Sequence, residues 1–338
     1  MTAVSTEVVE GQFDSASAER PAVGLREAFE LVDPDSLTAE MVGHWTYLIL
    51  ETAAFLMQGM HPVIRDVVDR YSVARTDPAG RAIRSIDSVL RWTYGGLEAI
   101  AEGRRLRSLH QPLQMKNESG KHISALDPNA YQWVIATAYI TTVNAGPLLI
   151  GRSFTVEEEE ELLADNRRLA HLLGVPMRDY PASRHEFENY LERMIDTILD
   201  VSDEVIEMVD VMRRGELEAD VLSRIPRPVR PVVSLGIKPP LRLMYLSMVA
   251  AMDPRIRAML NVELSFRERR TVEFIFSIVR LSYKVLPDRL TYFPLAYHAR
   301  KHHQCVQAMK RREVKSAAYK VRPKAAPQKI VQQVVISV

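Results

Sequence analysis

Helix-start signals recur along the whole chain and place the strongest constraint on its fold. In three Asp-Pro pairs the aspartate can cap a first turn, and the proline follows where its missing N–H is not needed. These pairs are Asp77-Pro78, Asp127-Pro128 and Asp253-Pro254. Segments 155–158 and 183–186 fit the capping box, in which two side chains satisfy each other's backbone donors. Alternating strand patterns are nearly absent, apart from 334–336. The sequence therefore predicts an all-α protein of about ten helices.

The predicted organisation is a single large helical domain over 25–310, between a flexible leader at 1–24 and a basic flexible tail at 311–338. The leader is polar and lacks a sustained helical period. The tail has no acidic residue after Glu313, so peripheral contact with a membrane or an acidic partner is an alternative to simple disorder. Five prolines between 225 and 240 predict an extended connector after a long helix at 184–214.

The charge balance and cysteine content limit the partners and the compartment. The 338 residues include 44 basic and 43 acidic side chains, and the net charge of +1 creates no broad field to attract nucleic acid. Cys305 is the single cysteine, so an internal disulfide is excluded, and both a reducing compartment and an exported protein without disulfides fit. The first ten residues lack the basic and apolar regions of a secretory signal. We therefore expect a cytoplasmic protein that binds no nucleic acid.

The longest stretch without charge lies between Asp127 and Arg152 and is long enough to cross a bilayer. Polar side chains such as Gln132 and Asn144 interrupt it, and Gly146-Pro147 follows near its end. Because polar groups disfavour insertion into lipid, the composition favours a buried helix at 128–150 beside a core or a cofactor. A membrane-associated protein is the weaker alternative.

Several common kinds of catalytic site are absent from the sequence. It has no Gly-rich phosphate loop, no Gly-x-Ser-x-Gly elbow, no Cys-x-x-Cys pair and no His-Glu-x-x-His. None of the nine histidines has a glutamate three residues before it, which excludes the Glu-x-x-His pair of di-iron bundles. Cys305 lacks the surroundings of a c-type or cytochrome P450 haem. His298 and His302 have metal-binding spacing, but Arg300 and Lys301 favour a basic surface helix.

The remaining candidates form an ordered set between 61 and 137. The set consists of His61-Pro62, Arg81-Ala-Ile-Arg84-Ser85, Gly103-Arg-Arg-Leu-Arg-Ser-Leu-His110, Ser124-Ala-Leu-Asp127-Pro128 and Trp133-Val-Ile-Ala-Thr137. This order resembles the family of MpaB oxygenases and latex-clearing rubber oxygenases (DUF2236). The resemblance covers roughly 40–300 and is most specific in its first third.

The resemblance implies a globin-like helical core that holds non-covalent haem b, with the proximal iron ligand at His110. The distal Arg-x-x-Lys-Thr motif of rubber oxygenases falls on Arg81, Arg84 and Ser85. Two of these three positions depart from the motif, and an arginine does not readily deprotonate to bind iron as a lysine does. The distal acid of rubber oxygenases has no clean match, because Arg65 stands near its spacing.

The chemistry of the residues agrees with these roles. A neutral imidazole is a good iron ligand, with His61 as the alternative to His110. Arg104, Arg105 and Arg107 precede His110 on one helix and can reach haem propionates. Trp133, Val134 and Tyr139 can supply apolar walls, and Thr137 on the same segment is expected to contact the cofactor. A hydrogen-bonded histidine is the simpler explanation for His110. For Arg81 and Arg84 the simpler explanation is pairing with the nearby aspartates at 77 and 87.

These expectations together describe a haem-b-dependent oxygenase that acts on a small apolar organic substrate with dioxygen or peroxide. A non-catalytic haem sensor and a cofactor-free helical interaction module are the alternatives that the same fold allows.

Overall fold

The computed structural model describes residues 30–71, 78–117, 119–215 and 226–318. Its α-helices are α1 Leu37–Gly43, α2 Tyr47–Gly59, α3 Pro62–Tyr71, α4 Pro78–Tyr94, α5 Glu98–His110, α6 Pro128–Leu149, α7 Val156–Leu172, α8 Arg184–Thr197, α9 Asp203–Arg214, α10 Arg230–Ala251, α11 Pro254–Met259, α12 Phe266–Val285, α13 Asp288–Thr291 and α14 Pro294–Ala318. The prediction of an all-α single domain is confirmed. The helices beyond the expected ten include α13, which has four residues and is too short to show a helical period.

Aspartate caps start two of the helices that the Asp-Pro pairs predicted. One carboxylate oxygen of Asp127 accepts the N–H groups of Asn129 and Ala130 at 3.0 and 3.1 Å. Asp253 accepts the N–H of Arg255 at 2.8 Å. Helix α4 begins at Pro78 as expected, although its predicted cap, the residue at 77, lies outside the described residues.

The two predicted capping boxes differ in their geometry. Thr155 and Glu158 form the complete reciprocal pair at the start of α7. Ser183 accepts the N–H of Glu186, but the Glu186 carboxylate accepts the N–H of Ala182 rather than that of Ser183. Both arrangements satisfy backbone donors that a first helical turn leaves free.

Helix α6 lies in the core, as its lack of charge predicted. It packs against α2, α7, α10 and α12. Its polar side chains bond to nearby backbone: the Gln132 amide donates to the Pro176 carbonyl at 2.7 Å, and the Asn144 amide donates to the Ile140 carbonyl at 2.9 Å. Among the described helices, none combines the length and apolar character needed to cross a membrane.

Two local predictions were wrong. The long helix predicted at 184–214 is two helices, α8 and α9, because the Asp200 N–H bonds to the Met60 carbonyl and Ser202 caps a new start. A short antiparallel hairpin, β1 Gln114–Lys116 and β2 His122–Ser124, was not predicted. Strands of three residues are too short to show alternation.

The proline-rich segment is helical rather than an extended connector. A 3₁₀ turn, Arg227–Val229, leads directly into α10, and Pro239 and Pro240 lie inside that helix. The second half of α10 buries Tyr245, Met248 and Val249 in the core. This packing outweighs the local penalty of roughly 3 kcal/mol for an interior proline.

The two predicted flexible ends fall mostly outside the described residues. All of 1–24 does so, as do residues 319–338 of the tail. The first eight residues of the predicted tail, 311–318, continue α14 as helix.

Candidate functional site

A cavity of about 750 Å³ lies among helices α1 to α7. Most of its wall is apolar, with Phe55, Val67, Leu106, Val134 and Leu169 contributed by five different helices. Its volume falls within the roughly 300–1,000 Å³ of pockets that hold cofactors and drug-sized ligands. Polar and charged side chains interrupt this apolar surface, and several of them are candidates for chemistry.

His110 ends α5 and lines this cavity. Its Nδ1 lies 2.7 Å from the Leu106 carbonyl oxygen and therefore donates its hydrogen there. This bond fixes the tautomer and leaves the Nε2 lone pair as the ring's acceptor. Histidines that bind metals usually make such a bond through their second nitrogen. The Tyr131 ring, 6.0 Å from the imidazole between centroids, flanks it on the α6 side.

Arg81, Arg84 and Ser85 also line the cavity, so the structure brings all three together with His110. They share one face of α4 because they stand at i, i+3 and i+4. Arg84 is exposed, whereas Arg81 is partly buried, and this burial lowers the pKa of its guanidinium. Among the described residues, Arg81 has no carboxylate partner. A desolvated guanidinium of this kind can bind an anionic or strongly polar oxygen in the cavity.

Arg104 and Arg107 do not line the cavity, although they share α5 with His110. Both are exposed, and Arg107 donates to the Gly174 carbonyl at 3.0 Å. Arg105, the third arginine predicted here, does line the cavity, where it donates to buried Glu102. That bond holds the pKa of the Glu102 carboxyl below its ordinary value. Arg105, which lines the cavity, is therefore already paired with Glu102.

Trp133 and Thr137 likewise lie outside the cavity lining, on the face of α6 that meets the core. The Trp133 indole is fully buried and donates to the Met57 carbonyl at 2.8 Å. Thr137 accepts the amide N–H of Gln58 at 3.1 Å, and Gln58 does line the cavity. Helix α6 still walls the pocket, through a neighbouring face that carries Ala130, Tyr131, Val134, Ile135, Ala138, Tyr139 and Thr142.

His61, the alternative ligand, is buried but not part of the cavity lining. Neither of its ring nitrogens has a hydrogen-bond partner among the described residues. Burial lowers the pKa of its imidazole to about 4, so the ring is neutral at pH 7. His110 is thus the histidine of this pair that the fold directs to the cavity.

Glu51 is a polar residue of the cavity that sequence reasoning missed. It lies on α2, is only 7% exposed, and lines the cavity beside Tyr47. Its Oε2 has no hydrogen-bond partner within the described part of the chain. Burial raises the pKa of this carboxyl to about 7, against a smaller lowering by a hydrogen bond from Tyr47. A carboxyl with this pKa can both hold and release a proton near neutral pH.

The second candidate for a metal site is the pair of histidines at i and i+4 on α14. His298 and His302 are both exposed on α14. Among the described residues, no group of three or more His, Cys, Asp or Glu side chains is placed to hold a metal ion.

Comparison with known proteins identifies the family to which this chain belongs. The family model described as "ER-bound oxygenase mpaB/B'/Rubber oxygenase, catalytic domain" matches residues 39–281, which include every polar residue of the cavity discussed above. The chain belongs to this family.

Two curated proteins are similar to this chain over a shorter stretch. They are Uncharacterized protein Rv2237 of Mycobacterium tuberculosis and Uncharacterized protein Mb2261 of Mycobacterium bovis. Each is 25% identical over 185 residues, which is 54% of this chain and 66% of the relative. The chain thus spans just under two thirds of the length of these relatives. No solved structure matches the chain significantly.

Proposed function

We propose that the chain is a haem-b-dependent oxygenase that acts on a small apolar organic substrate with dioxygen or peroxide, in which His110 would bind the haem iron. The observation that carries the proposal is the placement of His110 on the wall of an apolar cavity, with Nδ1 bonded to the Leu106 carbonyl. Membership of a family of oxygenase catalytic domains supports the reaction class.

The residues present fit the proposed cofactor. An imidazole with a free Nε2 lone pair is an iron ligand, and the cavity offers apolar walls of sufficient volume. Arg81 and Arg84 supply guanidinium donors for the propionates or for a polar oxygen within the cavity. Haem, when bound, supplies the redox and dioxygen chemistry that side chains cannot perform.

The chain's own residues would bind and orient the substrate and handle protons. Apolar side chains from α2 to α7 exclude water and favour an apolar substrate over a charged one. Glu51 holds a proton at its carboxyl below about pH 7 and accepts one above it. We therefore assign Glu51 the acid–base role for which the sequence offered no candidate. The single exposed cysteine, Cys305, supports our expectation of a reducing, cytoplasmic environment.

A spectroscopic experiment tests the ligand. The full chain is expressed with haem supplied, and bound haem is measured from the Soret band and as the pyridine haemochrome. We expect His110→Ala to lose or strongly shift the Soret band, while His122→Ala, an exposed histidine on β2, leaves it unchanged. Absence of bound haem in the wild type would contradict the proposal, and so would an unchanged spectrum in His110→Ala. A change in His61→Ala alone would move the ligand to His61. Oxygen consumption with candidate substrates then separates a catalyst from a haem sensor.

A further inference from the structure

Helix α12 has two apolar faces, of which only one is buried. Val272 and Phe276 point into the core, where α12 packs against α6 and α10. The opposite side carries an outer stripe, which we define as Phe274, Ile278, Leu281 and Val285. These four residues stand at i, i+4, i+7 and i+11, so they line up along one side of the helix.

The outer stripe is solvent-exposed along its full length. Phe274, Ile278, Leu281 and Val285 are 66%, 53%, 60% and 73% exposed. Single exposed apolar residues are common on protein surfaces, but a continuous row of four large ones marks an interaction surface. The row is also held rigidly, because the other face of the same helix is part of the core.

Cations border the outer stripe. Arg267 and Arg270 precede it, Lys284 lies near its end, and all three are exposed. None of the three has a carboxylate partner within ion-pair distance among the described residues. Glu273 is the one exposed acid on α12, since Glu268 is partly buried and pairs with Arg242.

The cations beside the outer stripe indicate what kind of partner covers it. A second copy of the chain would bring its own cations against these, with Arg267 and Arg270 facing Lys284 in an antiparallel pair. Like charges at such close range oppose association. A lipid surface with anionic headgroups instead accepts the apolar row into the acyl boundary and pairs with the cations at its edge. We propose that the outer stripe of α12 docks this protein onto an anionic lipid surface.

Vesicle flotation with the full-length chain tests the proposal and needs no knowledge of its activity. One set of vesicles contains one part phosphatidylglycerol to two parts phosphatidylcholine, and the other contains phosphatidylcholine alone. We expect the wild type to bind the anionic vesicles in low salt, with much weaker binding to the neutral ones.

Matched variants separate the apolar and the charged contributions. Ile278→Gln/Leu281→Gln should lower the partition coefficient at least about tenfold, since two large side chains no longer enter the acyl boundary. Ile206→Gln/Met208→Gln changes two similarly exposed apolar residues on α9 and should bind as the wild type does.

The charge pair is tested in the same way. Arg267→Gln/Arg270→Gln should lower binding to anionic vesicles about fivefold for each arginine removed. Lys121→Gln/Arg178→Gln, which removes two exposed cations elsewhere, should leave binding unchanged.

Four results would overturn the proposal. The first is no binding to anionic vesicles, and the second is equal binding to both vesicle types. The third is wild-type binding by the outer-stripe variant while its thermal unfolding is also unchanged. The fourth is a wild-type dimer in sedimentation velocity that Ile278→Gln/Leu281→Gln converts to a monomer, which would assign the stripe to self-association instead.

Discussion

Replacing Glu51 by glutamine should make the protein more stable at alkaline pH and leave its stability almost unchanged in acid. Glutamine keeps the shape of the protonated carboxyl but cannot ionise. The difference in unfolding free energy between the two proteins therefore isolates the ionisation of Glu51 from every other titrating group.

The expected magnitude follows from the burial of this side chain. Glu51 is 7% exposed, and its pKa is raised from an ordinary value of 4.5 to about 7. Each tenfold change in proton affinity corresponds to about 1.4 kcal/mol, so an ionised Glu51 costs the folded state about 3 kcal/mol. Because the folded pKa is the higher one, stability is fully present below about pH 4.5 and is lost as the pH rises through about 7.

Equilibrium unfolding in urea, measured from pH 4.5 to 8.5 in steps, gives the difference curve. We expect it to rise from near zero to about 3 kcal/mol in favour of Glu51→Gln. Glu192→Gln, on the exposed side of α8, shows the background of removing a surface carboxylate. Infrared spectra of the wild type should also show a protonated carboxyl band that disappears near pH 7 and is missing in Glu51→Gln. A difference curve that stays flat would refute the reasoning, since Glu51 would then be hydrated or paired.

Three further changes test the fold. Gly103→Ala should destabilise the protein by about 1–3 kcal/mol in urea unfolding, because an added Cβ would lie 2.1 Å from the Leu172 carbonyl oxygen; wild-type stability would contradict this close approach. Thr155→Ala removes the hydroxyl that caps α7 and should cost about 1 kcal/mol in the same assay, whereas Thr155→Ser should restore most of it. His61→Leu should protect the protein from acid, because wild-type stability is lost as the pH falls from 6.5 through the His61 pKa of about 4. His44, whose pKa is also lowered to about 4, is present in both proteins and cancels in that comparison.

The parts of the fold that could be predicted are those set by local chemistry. An aspartate cap such as Asp127 depends only on the next three residues, so its pattern is visible in the sequence. The first half of α10, residues 230–240, was predicted as an extended connector because its prolines oppose a helix locally. Its support comes from packing against α2, α9 and α12, which lie outside this segment. Tertiary packing of this kind leaves no signal within the segment itself.

The candidate site was likewise predicted only in part. His110 and Arg81 were singled out by residue type and order, and the packing of α4 against α5 brings both to one cavity. The orientation of α6 was only partly predictable: Val134 and Tyr139 line the cavity as expected, whereas Trp133 and Thr137 do not. Glu51 was overlooked because it stands in an apolar helix, yet it is the only acid between positions 40 and 66. A lone acid in an apolar helix is the signal that could have revealed it.

Glu51 and Arg81 both line the cavity but do not form an ion pair. If the Arg81 guanidinium lay against the Glu51 carboxylate, the cation would lower the pKa of that carboxyl, whereas burial raises it and no arginine contributes. Burial also lowers the pKa of the Arg81 guanidinium, and no carboxylate among the described residues pairs with it. Both groups therefore face the same apolar space from different helices, α2 and α4, and neither neutralises the other.

A ligand that fills this space gains most when it places a negative or strongly polar atom at Arg81 and an apolar body along α6. Near Glu51 the ligand needs only a group that can exchange a proton with the carboxyl. The haem and apolar substrate that we propose would meet these three demands, while a substrate carrying a carboxylate near Glu51 would meet repulsion above pH 7.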